Sequence, residues 1–418
     1  MKELSIYIHI PFCVRKCLYC DFLSFPVYGT VSRIETPSAL CAGSSSEEKI
    51  KHYVNLIKKE LVRESVKYRQ HQVISVFWGG GTPSLLSGNI ITDVMEIMRK
   101  NYRMEAGAEI TMEMNPGTAD VQKLRQYAAA GINRLSIGLQ SADDSELARI
   151  GRIHDYQTFL NTYDAAGKAG FHNINIDLMS ALPGQSAASY EQTLKRVIAL
   201  LPEHISAYSL ILEEGTPLYE RRADYLFPTE EEEQEMDRLT REVLASGGYH
   251  RYEISNYALE GYECRHNKVY WQRGDYTGFG LGASSMVGNV RWSNPAEMEH
   301  YRKYVEQPGV EADVCGEEGN VQGKVQAAET AAEYIPDRQI LTAQEQMEEF
   351  MFLGLRMVNG VSEEKFERTF GLPMETVYGD VLAGLYRQGL LLKEQNRIRL
   401  TERGMEVGNY AMAQFLFD

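Results

Sequence analysis

The chain reads as an α/β protein built on a parallel sheet with helices outside it, and two observations predict this. Over its first 215 residues, six short runs rich in Val, Ile, Leu and Met alternate with helix-like stretches. Each run stops near Gly, Pro or Asn, as strands buried on both faces do. Six β–α alternations imply a parallel sheet covered by helices.

The candidate strands are residues 5–10, 73–78, 109–114, 134–139, 173–178 and 205–211. After the first comes a helix in which Ile50, Tyr53, Val54, Ile57 and Leu61 fall at i, i+3, i+4, i+7 and i+11, a single apolar stripe. Helices are also expected over residues 119–130, 155–169 and 187–200. Residues 26–48, with Pro, Gly, Thr and a serine run, read as a loop, and the Gly- and Glu-rich stretch 306–340 as a linker or surface insertion. The acidic run 230–233 follows Pro228-Thr229 and fits an N-capped helix whose first turn is acidic. A helix over 347–358 opens a small α-rich C-terminal domain, 341–418, with a β wing at 390–400.

At 418 residues the chain is long enough for two or three domains, and 44% hydrophobic content is ordinary for a globular protein. A formal charge of −15 argues against a nucleic-acid partner. The start lacks the basic and apolar regions of a signal peptide, and no apolar run approaches a membrane span. Six cysteines, three of them in one motif, suit a reducing cytoplasm rather than a disulfide scaffold.

That motif is Cys13, Cys17 and Cys20, spaced C-x3-C-x2-C. Thiolates ligate iron–sulfur clusters, and three within eight residues can hold three irons of a [4Fe–4S] cube, leaving the fourth open. Structural zinc wants four closed ligands, and no second pair with such spacing follows. Zinc aside, the alternative is three unrelated core cysteines.

Beyond the cysteines stand Trp78-Gly79-Gly80-Gly81-Thr82-Pro83, Glu113-Met114-Asn115-Pro116, the run from Ser136 to Gln140, Gly151-Arg152-Ile153-His154, the runs 177–185 and 208–216, and His266-Asn267-Lys268-Val269-Tyr270-Trp271. In these motifs and their order the chain resembles the HemN/HemW group of the radical SAM superfamily. The resemblance implies a partial (β/α)6 barrel over 1–215, an extension of the HemN type over 216–305, and a site at the C-terminal ends of the strands. It further implies a [4Fe–4S] cluster on Cys13, Cys17 and Cys20, whose electron cleaves S-adenosylmethionine (SAM) to a 5′-deoxyadenosyl radical. An electron donor for the cluster is implied with it. SAM contacts would come from Tyr7, Tyr19, Gly80, Gly81, Thr82, Glu113, Gln140, Arg152 and Asp177. Glu113 would hold the ribose, and Arg152 would reach the SAM carboxylate.

Two departures separate the chain from the coproporphyrinogen III dehydrogenases of this group. Their further cysteine, two residues after the third, is Phe22 here, and only six residues precede Tyr7. Both features match the group's heme chaperones, so that dehydrogenase activity is not expected. Heme, or a related tetrapyrrole, would then be the bound partner, with His266 of the HNxxYW motif as its ligand. Apo-hemoproteins, chiefly membrane-associated respiratory ones, would be the acceptors. A radical enzyme acting on a tetrapyrrole is the alternative. Ser284 stands where the group commonly has a histidine.

Overall fold

The computed structural model describes residues 1–27, 45–307 and 337–417. Strands β1 (Lys2–Ile10), β2 (His71–Gly80), β3 (Met104–Met114), β4 (Arg134–Gln140), β5 (Ile174–Ser180) and β6 (His204–Ser209) lie side by side in that order, all parallel. All six expected strands are present. The sixth ends two residues early: Leu210 N makes the last bond to β5, onto Ser180 O, and Ile211 is left exposed.

Within each strand, alternate residues face opposite ways. Leu135, Ile137 and Leu139 of β4 belong to the core shared with the helices, whereas Arg134 and Ser136 line the lumen. β5 does the same, with Ile174, Ile176 and Leu178 outward and Asn175 and Asp177 inward. An apolar rim around a polar lumen is the frame of a ligand site.

Helices α1 (Ser46–Glu64), α2 (Gly88–Asn101), α3 (Val121–Ala130), α4 (Asp144–Arg149), α5 (Tyr156–Ala169) and α6 (Ala187–Ile198) connect the strands. Ser45 and Glu48 form the capping box that starts α1, and Asp120 and Asp155 cap α3 and α5. The acidic helix Glu230–Ser246 begins at a Thr229–Glu232 capping box, as its sequence indicates.

The sheet is wider than six strands. β7 (His250–Arg251) and β8 (Asn256–Ala258) add antiparallel strands beyond β6, and β9 (Tyr276–Phe279) pairs parallel with β1. β10 (Ser284–Val287), β11 (Val290–Ser293) and β12 (Arg338–Ile340) continue that edge as a meander. The helix Arg265–Trp271 therefore joins a strand on one edge of the barrel to a strand on the other, across its open side.

Met236, Leu244, Tyr257, Phe279 and Tyr301 share the barrel's core, so the stretch after the sixth strand packs as part of it. A buried carboxylate ties the two together: Glu60 of α1 accepts from Gly280 N, Asn294 Nδ2 and Tyr301 Oη at 2.9, 2.7 and 2.6 Å.

A second core, with Phe350, Phe366, Leu382, Leu391, Ile398 and Phe415, holds the C-terminal helices and a three-stranded sheet whose hairpin Leu391–Glu394/Arg397–Leu400 is the expected wing. The helix expected over 347–358 runs from Ala343 to Gly354, because a Thr342–Glu345 capping box starts it earlier. Most of the two insertions, residues 28–44 and 308–336, lies outside the described residues. Among the described residues no helix is long and apolar enough to cross a membrane.

Candidate functional site

The cysteine loop leaves β1 and folds back over the C-terminal end of β2. Gly81 N donates to Ile10 O at 2.8 Å and Thr82 N to Phe12 O at 2.7 Å, so the glycine turn and the start of the loop are laced together. Only glycine permits this. A Cβ on Gly81 would stand 2.6 Å from Phe12 O, and one on Gly80 2.5 Å from the His9 ring, with φ at +107° besides.

The sulfurs meet donors rather than acids. Thr82 Oγ1 donates to Cys13 Sγ and Arg152 Nη1 to Cys17 Sγ, each at 3.6 Å, and Cys20 N closes a turn onto Cys17 O. Burial pushes the Cys13 thiol up and Cys20 to about 11. Both are therefore thiols at neutral pH until a bound cation draws the proton off.

Among the described residues no three His, Cys, Asp or Glu side chains gather around a single ion position. All three cysteines are free, and the donor set fits an iron–sulfur cluster.

Arg152 is the brace of this end. Its Nη2 donates to Asn115 Oδ1 at 2.8 Å and Gly138 O at 2.6 Å, while Asn115 Nδ2 donates to Thr82 Oγ1 at 2.9 Å. One chain of bonds thus links Cys17, Arg152, Asn115, Thr82 and Cys13. Asn115 was visible in its Asn-Pro motif, but its hub position depends on the strand ends around it.

Below the loop, a cavity of about 480 Å³ fills the lumen. Of the expected cofactor residues, Tyr7, Gly80, Glu113 and Asp177 line it, and so does His266. Gly81, Thr82, Gln140 and Arg152 sit around the strand ends outside its walls, with Gln140 held at φ +73°. Tyr19 lies outside the cavity walls too, packed against Ile150, Met179 and Leu182 and beside Arg152. Phe22 and Leu23, next to Cys20, and Ser284 of β10 complete the walls.

Glu113 Oε2 accepts from Gly80 N at 3.1 Å, and burial first, then the nearby Asp177, pushes its carboxyl up to about 8. Asp177 accepts from Ser136 Oγ at 3.0 Å and Asn175 Nδ2 at 2.7 Å, and burial raises it too.

His266 is 1% exposed and stacks on Phe77 with ring centres 5.0 Å apart. Its Nδ1 lies 2.9 Å from Ser75 Oγ and its Nε2 3.0 Å from Tyr270 Oη. Glu109 anchors the helix start, accepting from Arg265 N and His266 N at 3.0 Å each. Burial, then Arg134, lowers the imidazole to about 3, so the ring is neutral. Cys264 points away from the lumen into a small cluster with Tyr252 and Met357.

The expectations omitted His9, Phe77, Arg134, Tyr270 and Tyr276 from the site, although all line the cavity. Strand parity could have found two of them, His9 two residues from Tyr7 and Arg134 two from Ser136, and Tyr270 stands one helical turn from His266.

The radical SAM superfamily model matches residues 7–197 and the HemN C-terminal domain residues 341–407. The chain is 32% identical to the heme chaperone HemW of Lactococcus lactis, over 100% of this chain and 98% of that protein, and 32% to that of Bacillus subtilis, over 99% of each. It is 38% identical to the Escherichia coli heme chaperone HemW, over 69% of this chain and 71% of that protein. Among solved structures, E. coli coproporphyrinogen III oxidase (HemN), a radical SAM enzyme, superposes with a TM-score of 0.78 at 23% identity, over 99% of this chain and 90% of that one, and so shares the fold. Superfamily membership carries a [4Fe–4S] cluster and SAM with it. The chain belongs to the HemW family of radical SAM proteins.

Proposed function

We propose that this protein is a heme chaperone that carries a [4Fe–4S] cluster and SAM, binds heme, and passes it to apo-hemoproteins, membrane-associated respiratory ones among them. The observation that carries this is the lacing of a three-cysteine loop to a polar lumen that also holds His266, in a chain alike along its whole length to proteins named heme chaperones.

Cys13, Cys17 and Cys20 hold the cluster, with Thr82 and Arg152 donating to two of the sulfurs. When bound, the cluster supplies the single electron that cleaves SAM, drawn from an external donor. Gly80, Gly81 and Thr82 give SAM a close backbone approach. Glu113 and Asp177 accept from its hydroxyl and amino groups, and Arg152, Gln140 and Tyr7 frame it. Tyr19 supports this end by packing against the loop's neighbours.

His266 is the heme ligand in this reading. A ligand role requires the tautomer in which Nδ1–H donates to Ser75 Oγ, 2.9 Å away, leaving a lone pair on Nε2. In that tautomer Tyr270 Oη, 3.0 Å from Nε2, donates to the lone pair and would have to turn away for a heme iron to take it.

Porphyrin-forming activity is disfavoured by Phe22, which is 60% exposed where a fourth cysteine would stand. The function is tested by transfer. Heme-loaded protein is mixed with an apo-cytochrome, and the rate is compared with heme loss to a scavenger. Delivery faster than spontaneous loss is expected, and delivery no faster than loss would sink the chaperone reading. Anaerobic incubation with SAM, reductant and coproporphyrinogen III should yield no protoporphyrinogen.

A further inference from the structure

Arg134 opens β4 and is only 2% exposed, yet its guanidinium has no hydrogen-bond or ion-pair partner among the described residues. Its Nε is sealed from solvent with nothing to donate to, and the side chain lines the lumen cavity. The acceptors nearby face other donors. Asp177 receives Ser136 and Asn175, and Asn175 Oδ1 bonds His204 and Ser206. Glu109 receives two backbone N–H groups of the closing helix. Glu109 and Asp177 act on the guanidinium through their charge, without bonding it.

A guanidinium presents five N–H donors in a planar fork that matches a carboxylate. Burying such a cation without acceptors is unfavourable, and an acceptor brought by a ligand removes the penalty. We propose that the lumen binds an organic acid whose carboxylate is forked by Arg134, its flat body lying against Tyr7, Phe77 and Tyr270. A monoanion suits the cavity better than a phosphate dianion, because Glu113 and Asp177 line it too. The carboxylate of SAM does not serve, since Arg134 lies at the opposite end of the strands from the cysteine loop. If heme is the bound partner, one of its propionates is this acid, and that identification rests on the heme chaperone reading. The alternative source is a free small acid.

The test uses the full-length, cluster-reconstituted protein with R134Q and R134K. Heme and heme dimethyl ester are titrated anaerobically by the Soret band. 3-Phenylpropionate and 3-phenylpropionamide are compared by thermal shift. Wild type should prefer heme over its ester by about tenfold or more, as loss of a charge-assisted pair implies. It should also be stabilised by the acid and not by the amide. R134Q should lose both preferences. Its ligand-free melting temperature should be no lower than wild type, whereas a structural arginine would leave it lower. R134K keeps the charge without the fork, should show weakened preferences, and decides the comparison if R134Q does not fold. Discrimination unchanged in the variants overturns the site. Absent heme binding with Arg134-dependent recognition of 3-phenylpropionate retains the site and removes the heme reading. Heme binding indifferent to esterification, with no Arg134-dependent response to the small acid, retains the heme reading and overturns the site.

Discussion

His266 and Glu113 line one and the same cavity, the imidazole entering from the helix that spans the barrel's open side and the carboxyl from the end of β3. Residues expected to hold heme and residues expected to hold SAM are therefore neighbours in one lumen. Changes at either are to be read against both ligands.

The Tyr270 hydroxyl on His266 Nε2 gives the first prediction. Tyr270→Phe removes the competing donor while keeping the ring that meets His266 edge-on at 5.1 Å. Heme affinity should rise and the Soret band keep its wild-type position. His266→Ala should lower affinity and shift the band. SAM binding is measured in both variants. A folded His266→Ala protein with an unaltered heme spectrum would rule out axial ligation.

With Glu113 as a SAM contact, as proposed, SAM binding should depend on pH. The folded-state Glu113 carboxyl sits at about 8, above the ordinary carboxylate value, so it is largely protonated at neutral pH. Ribose hydroxyls and a sulfonium cation favour the carboxylate, so SAM binding expels the proton. SAM affinity should climb from pH 6 to about 8 and then level, by equilibrium dialysis, and Glu113→Gln should flatten the climb. For folding without ligand the sign is opposite. A raised carboxyl stabilises below its unfolded pKa, and that stability is lost as pH rises through about 8. A SAM affinity in wild type that does not vary with pH would contradict the assignment.

The glycine turn offers a graded series. Gly81→Ala places a methyl against backbone that cannot yield, 2.6 Å from Phe12 O and 2.9 Å from Ile10 O. It should cost about 2–4 kcal/mol and iron content together. Gly107→Ala meets nothing within 4 Å and is the control, expected within about 0.5 kcal/mol of wild type. Denaturant unfolding and iron per chain measure both. Full iron in a destabilised Gly81→Ala would separate the turn from the cluster.

Much of this was legible in the sequence, for physical reasons. The cysteine spacing, the triple glycine and the carboxylates at strand ends are local, and so are the Ser45–Glu48 and Thr229–Glu232 boxes. Helix Gly88–Asn101 buries Ile91, Val94, Met95 and Met98 at helical spacing, yet it opens at Ser87 with no side-chain cap bond, so its start carries no mark. The closing of the barrel was illegible for a different reason. β9 is four residues long and pairs with β1 some 270 positions away in sequence, which no local periodicity encodes. Arg134 opens the expected strand 134–139 as its one basic residue. Its inward aim follows only when Ser136 of the same strand is placed in the lumen.

Arg152 should be needed for the cluster through position, not charge alone. It links Cys17, Asn115 and Gly138, and Arg152→Lys keeps the charge but cannot span all three. Iron content after reconstitution should fall in Arg152→Lys and further in Arg152→Gln, with a stability cost of about 1–3 kcal/mol. Replacing Cys13, Cys17 and Cys20 together with alanine sets the floor, abolishing cluster absorbance. Wild-type iron in Arg152→Gln would show that the brace is dispensable.

The last prediction concerns the join between the barrel and the C-terminal core. Glu349, 4% exposed, takes Arg273 Nε at 2.8 Å and Arg291 Nη2 at 2.6 Å, and the two arginines come from the segments flanking the site. A two-residue bridge of Glu253 with Met357 and the bond from Ile254 N to Arg356 O complete the seam. Glu349→Ala leaves two cations facing each other across an emptied position, a loss of about 3–5 kcal/mol for a buried network. Glu349→Gln keeps one acceptor and should lose less. Because the second core packs on its own residues, the loss should appear as opening of the seam rather than melting of either core. Amide exchange should speed up around Arg273, Arg291 and residues 343–357 while the cores of β2 and β4 stay protected. Uniform acceleration throughout the chain would mean that the two cores unfold as one unit, and that Glu349 stabilises the whole molecule.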